Sequence, residues 1–147
     1  MVLLIGYGNE LRGDDAAGPR VAAAVKEWML PYVRSLSVHQ LTPELAEPIS
    51  QARAVIFVDA ALAADDSQTT TVALQPCREV QFQAHSSDPR ALLAFARILY
   101  GSTPPAWLVK IPAVSFELGQ ALSAAASNGV DRALAELRTL LASFQNG

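Results

Sequence analysis

The chain opens with an unbroken apolar run, Val2-Leu3-Leu4-Ile5, and carries a second, Ala54-Val55-Ile56-Phe57-Val58, that ends at Asp59. Short runs without polar alternation mark strands buried on both faces. Such strands need helices above and below them. The segments between supply helical patterns. After the first run and a glycine-containing loop, Val21, Val25 and Trp28/Met29 recur at three to four residues, predicting a helix from about Ala16 to Met29. Asp15 is its expected N-cap, Pro19 sits harmlessly in its first turn, and Pro31 ends it.

Further along, Val33–Leu41 alternates and reads as strand two. Thr42-Pro43-Glu44 begins a short helix to Gln51, and Ala54–Asp59 is strand three. Ala60–Ser67 reads as a loop, Thr69–Leu74 as a β-branched strand, and Pro76 to Ser87 as irregular. Ser87 or Asp88 should cap a helix from Pro89 to about Tyr100, and Ala106–Ile111 should form the last strand. Pro112–Gly119 reads as a loop, after which Ser123 caps a long helix to about Phe144. Asn128-Gly129 would suit a hairpin turn. Its flanks keep a helical period through Val130, Leu134, Leu137 and Leu141, so a continuous helix is expected. The order β-α-β-α-β-β-α-β-α predicts an α/β fold. Residues 1–147 should form a single three-layer αβα domain around a mainly parallel twisted sheet.

Composition agrees with this and removes several classes. Of 147 residues, 51% are hydrophobic and 17% charged, which suits a globular domain able to bury a core. A net charge of −3 without basic clusters argues against a nucleic-acid partner. No run approaches the roughly 18–20 apolar residues of a membrane span. Val2–Ile5 lacks the basic leader and length of a signal peptide. Cys77, the one cysteine, allows no internal disulfide. A cytoplasmic protein is expected.

The chemistry is concentrated in the loop after the first strand, Gly6-Tyr7-Gly8-Asn9-Glu10-Leu11-Arg12-Gly13-Asp14-Asp15. In open α/β sheets such loops lie at the carboxyl ends of strands, where ligands bind. A dinucleotide fingerprint would need glycine where Leu11 stands, and the Asp14-Asp15 pair would repel a pyrophosphate. A Walker A loop and a G-x-S-x-G elbow are both absent. The adjacent carboxylates suit a cation instead. Asp59 ends a parallel strand and should reach the same sheet edge as Asp15, and His85 lies in a loop that could reach it too. Two carboxylates and one imidazole can hold a borderline divalent metal while leaving positions open. His39 falls inside a predicted strand, which favours a structural or supporting role. Asp65, Asp66 and Asp131 read as solvated charges and Cys77 as structural. Glu117, after the last strand and near Gly119, could border the site.

With these residues in place, the chain resembles the hydrogenase maturation proteases, nickel-dependent endopeptidases of nickel–iron hydrogenase large subunits. Gly6 through Pro19 is similar to that family's G-x-G-N-x-L-x-x-D-[DE]-x-x-G pattern. Val55–Ala60 resembles its apolar strand ending in Asp-Ala, Ala84-His85 its histidine loop, and Ile111-Pro112 through Leu122-Ser123 its closing motif. The resemblance implies that Asp15, Asp59 and His85 are both metal ligands and catalytic residues. It implies that the metal is nickel supplied by the substrate, and that the partner is the precursor of a hydrogenase large subunit, whose C-terminal extension is removed. Hydrolysis could use a metal-bound water or a carboxylate base. Many relatives carry an Asp-Gly-Gly/Ser/Thr segment after strand two. Here that region reads Val38-His39-Gln40-Leu41-Thr42-Pro43, and the chain is short for the family. The alternatives are a non-cleaving metal-sensing or chaperone-like module that binds the same precursor, and a nucleotide-binding domain.

Overall fold

The structure is a computed structural model that describes residues 1–63, 68–77 and 88–145. Five strands, β1 (Val2–Tyr7), β2 (Val33–Val38), β3 (Ala54–Leu62), β4 (Thr70–Leu74) and β5 (Ala106–Ala113), form one sheet in the order β2-β1-β3-β5-β4. The first four in that order pair in parallel, and β4 joins antiparallel at the edge. The helices are α1 (Ala17–Glu27), α2 (Ala46–Gln51), α3 (Pro89–Tyr100) and α4 (Ala124–Ala142), with 3-10 turns at Gly13–Ala16 and Pro43–Leu45. The element order is the one the sequence predicts, and the architecture is α/β.

Strand alternation sorts the core into two layers. Val2, Leu4, Ile56, Val58, Val109 and Ile111 pack with Val21 and Val25 of α1 and Leu137 and Leu141 of α4. Leu3, Ile5, Tyr7, Val55 and Phe57 face the other way, onto Ile49 of α2 and Leu92 and Leu93 of α3. Central strands with both faces covered explain why β1 and the start of β3 read as continuous apolar runs. The same alternation puts Asp59 on the Tyr7–Phe57 side of the sheet.

The expected caps form at two helices. The Asp88 carboxylate accepts from the Arg90 N–H, and the Ser123 hydroxyl accepts from the Ala126 N–H. At Thr42 the hydroxyl bonds the Glu44 carboxylate and leaves the backbone uncapped. Helix α4 runs unbroken through Asn128-Gly129. A Cβ at Gly129 would meet Ile111 Cγ2 at 2.8 Å, so glycine lets the helix lie against β5. The Gly129 carbonyl also accepts from Thr69 Oγ1 at 2.9 Å.

Three expectations need correction. Asp59 does not end β3, because Ala60–Leu62 continue the pairing onto Ile111–Ala113 of β5. β2 stops at Val38, so His39 lies just beyond the strand and is exposed. Asp15 does not cap α1: the turn Gly13–Ala16 feeds directly into the helix, and no side chain caps its start. Among the described residues no helix is long and apolar enough to cross a membrane.

Candidate active site

The carboxyl edge of the sheet gathers the loops after β1, β2 and β5. The β1–α1 loop folds back on itself. Asn9 Oδ1 accepts from the Leu11 N–H at 2.9 Å, and the Asn9 N–H donates to Asp15 Oδ2 at 2.7 Å. That bond turns the half-buried Asp15 carboxylate toward its own loop, in place of the helix start. Gly8 makes the fold-back feasible. Its φ is +146°, and a Cβ there would lie 2.0 Å from the Asp15 carbonyl oxygen.

Asp59, half-buried on β3, is paired in register with Lys110 of β5. Its pKa is pushed up to about 6, above all by burial and further by the Asp15 charge. Hydrogen bonding from the Tyr7 hydroxyl and the Ala60 N–H opposes the rise, as does Lys110 more weakly. Burial likewise drives the Tyr7 phenol well above its ordinary range, with the Asp59 charge adding to it. Asp15 and Asp59 are therefore close enough to repel, and Tyr7 stands with them. Tyr7 was not singled out by sequence reasoning, although its place between Gly6 and Gly8 at the end of β1 was the available signal.

Asp14, by contrast, is 1% exposed and fully engaged. Burial, the largest single influence, would raise its pKa. Hydrogen bonds from the N–H groups of Val114, Ser123 and Ser115 and from the Ser123 hydroxyl outweigh it and hold the carboxyl below its ordinary range. Asp14 supports the loop through a partner segment about a hundred residues away, for which no local sequence signal exists.

Beside the Asp15 loop lies a cleft of about 470 Å³ lined by Gly8, Asn9, Glu10, Leu11, Ser37 and His39, among others. His39 is thus a cleft-lining side chain. Among the described lining residues, Gly8 and Asn9 adjoin Asp15, and Asp59 is not one of them. Glu117 is exposed and accepts from Gln120 Nε2 at 2.9 Å. Its carbonyl lies near Gly13, so it borders the β1–α1 loop. Cys77 is half-buried, with its N–H donated to the Arg90 carbonyl, consistent with a structural role. Asp131 is exposed on α4. His85, Asp65 and Asp66 lie outside the described residues. Among the described residues no three of His, Cys, Asp and Glu come together as a metal site. Asp15 and Asp59 supply two oxygen donors whose burial and mutual repulsion a cation would relieve, which fits a divalent metal as far as two ligands can.

No family model matches the chain, and no curated protein sequence matches it. Solved structures do. The fold is similar to the hydrogenase maturating endopeptidase HybD from E. coli, with a TM-score of 0.76 and 22% identity over 97% of this chain and 92% of that one. It is similar to the [NiFe] hydrogenase maturation protease HycI from Thermococcus kodakarensis, with a TM-score of 0.72 and 22% identity over 99% and 92% of the two chains. An endopeptidase from Escherichia coli matches with a TM-score of 0.70 and 26% identity over 92% and 88%. The chain has the fold of the hydrogenase maturation proteases, the family its first loop resembles in sequence.

Proposed function

We propose that this protein is an endopeptidase that removes the C-terminal extension of a nickel-loaded hydrogenase large-subunit precursor. The observation that carries the reading is the repelling pair of half-buried carboxylates, Asp15 and Asp59, at the carboxyl edge of a sheet built like that of HybD. In this reading the nickel arrives with the substrate. Asp15, Asp59 and His85 hold it, which brings the scissile segment beside the β1–α1 loop and its cleft. The chemistry is attack by water with a carboxylate taking the proton. The Asn9 N–H fixes one oxygen of Asp15 and so orients the carboxylate for either role. The protein works in the cytoplasm, where the precursor is made.

Incubation with nickel-loaded precursor, followed by mass spectrometry of its C-terminus, tests this. Loss of a defined C-terminal peptide is expected, and Asp15→Asn, Asp59→Asn and His85→Ala should each abolish it while Asp65→Asn does not. A precursor that forms a complex yet keeps an intact C-terminus would overturn the protease reading in favour of a non-cleaving binding module.

A further inference from the structure

Asp14 and Asp15 are adjacent in sequence but opposite in surroundings. Asp15 keeps a half-buried carboxylate with the Asn9 N–H at 2.7 Å on one oxygen. Asp14 is sealed from solvent and accepts four hydrogen bonds from the segment after β5. Its Oδ2 takes the Val114 N–H at 2.7 Å, the Ser115 N–H at 3.4 Å and the Ser123 hydroxyl at 2.8 Å. Its Oδ1 takes the Ser123 N–H at 2.7 Å. The Asp14 N–H in turn donates to the Ser115 carbonyl at 3.0 Å, and nearby the Gly119 N–H donates to the Leu11 carbonyl at 2.8 Å. The β1–α1 and β5–α4 loops are thus one unit with Asp14 at its centre.

A side chain 1% exposed cannot touch a protein substrate. Its bonds all run sideways, to backbone and to one hydroxyl, and they fix the turn on which Asp15 rides. We infer that Asp14 is a positioning residue, which holds Asp15 in place near Asp59 by clamping the turn Gly13–Ala16 to Val114, Ser115 and Ser123. This inference rests on the proposed protease reading. The clamp requires a carboxylate, because every partner is a donor. An amide of the same shape would turn an NH₂ group toward at least one N–H or O–H.

The test is Asp14→Asn set beside Leu137→Ala. Leu137 is a fully buried core residue of α4 outside the site. Its truncation supplies a control destabilised without touching the clamp. Two quantities are read in each: kcat and KM for precursor processing, and the chemical shift and exchange protection of the Asn9 amide, which reports the bond to Asp15. Asp14→Asn is expected to lower kcat about 10–100-fold below the control with KM little changed, as for other supports of ligating groups. It should also displace the Asn9 amide signal and reduce its protection. Leu137→Ala should leave that signal in place. An Asn9 amide unchanged in Asp14→Asn, or a kcat no lower than the control's, overturns the inference. Where Asp14→Asn does not fold, Ser123→Ala removes one of the four bonds and should move both quantities the same way by less; no movement in either overturns the inference. If the wild-type protein does not cut the precursor at all, the protease reading fails and the amide measurement alone decides the positioning role.

Discussion

Replacing Asp59 by Asn should make the protein more stable while ending its activity. The folded protein pushes the Asp59 carboxyl from its ordinary 3.8 up to about 6, chiefly through burial. A raised carboxyl pKa means that the folded state disfavours the charge. No penalty exists below the unfolded pKa, where both states are protonated. The penalty then accumulates as pH rises and is complete above the folded pKa. A rise of roughly 2 units corresponds to about 3 kcal/mol at about 1.4 kcal/mol per unit. Because Asp59 is only half-buried, solvent screening brings the expected gain for the neutral amide to about 1–2 kcal/mol. For a chain of this length that is roughly 2–8 °C in melting temperature. The amide can keep the Tyr7 and Ala60 hydrogen bonds through its carbonyl oxygen. Melts of both proteins at about pH 7.5 and about pH 4.5 test the sign as well as the size. The gain should be full at the higher pH and fall to about half at the lower. An Asp59→Asn variant no more stable than wild type at about pH 7.5, or a gain independent of pH, would refute the argument that a buried, repelled charge destabilises the fold here.

Other substitutions probe the same geometry. Gly8→Ala forces a Cβ to within 2.0 Å of the Asp15 carbonyl at a φ of +146°, so it should destabilise the protein by at least about 2 kcal/mol in urea melts and abolish processing. Tyr7→Phe deletes the hydroxyl that lowers the Asp59 pKa, so Asp59 should titrate still higher, as read by carboxyl carbon NMR. Asp14 has a folded pKa below its unfolded one. Its contribution is present above the unfolded value and is lost as pH falls through the folded value, so Asp14→Asn should flatten the acid limb of the stability profile below about pH 4.

What the sequence made legible is what short-range periodicity encodes. Val2–Ile5 and Ala54–Val58 announced two-sided burial, and the period of Val130, Leu134, Leu137 and Leu141 carried α4 through Asn128-Gly129. Element ends were less legible, because partners set them. β3 passes Asp59 only because Ile111–Ala113 are there to pair with it, and β2 stops at Val38, which releases His39 into the cleft. The same holds at the site. Asp15 read as a helix cap because it precedes α1, yet the nearer donor in space is the Asn9 N–H, presented by a fold-back at Gly8. Asp59 comes near Asp15, since β1 and β3 are parallel neighbours, though it lies within β3 and not at its end. The meeting of Tyr7 with Asp59 follows from those strands being adjacent, a fact of topology that no local pattern states.

Asp14 and Asp59 show how burial and hydrogen bonding are balanced differently at two acids near one sheet edge. At Asp14 burial raises the energy of the charge, and four donors more than compensate, so the carboxyl is held ionised. At Asp59 burial is opposed by fewer donors, and a second carboxylate stands close by, so the balance falls the other way. Hydrogen-bond supply is therefore one difference that separates Asp14 from Asp59. A cation placed between Asp15 and Asp59 would reverse the repulsion and the desolvation penalty together. Stability should then rise with added divalent metal above about pH 6, where Asp59 is charged, and not below about pH 4, where it is not. Thermal melts with and without nickel at the two pH values measure this directly. Equal stabilisation at both would mean that the metal binds elsewhere.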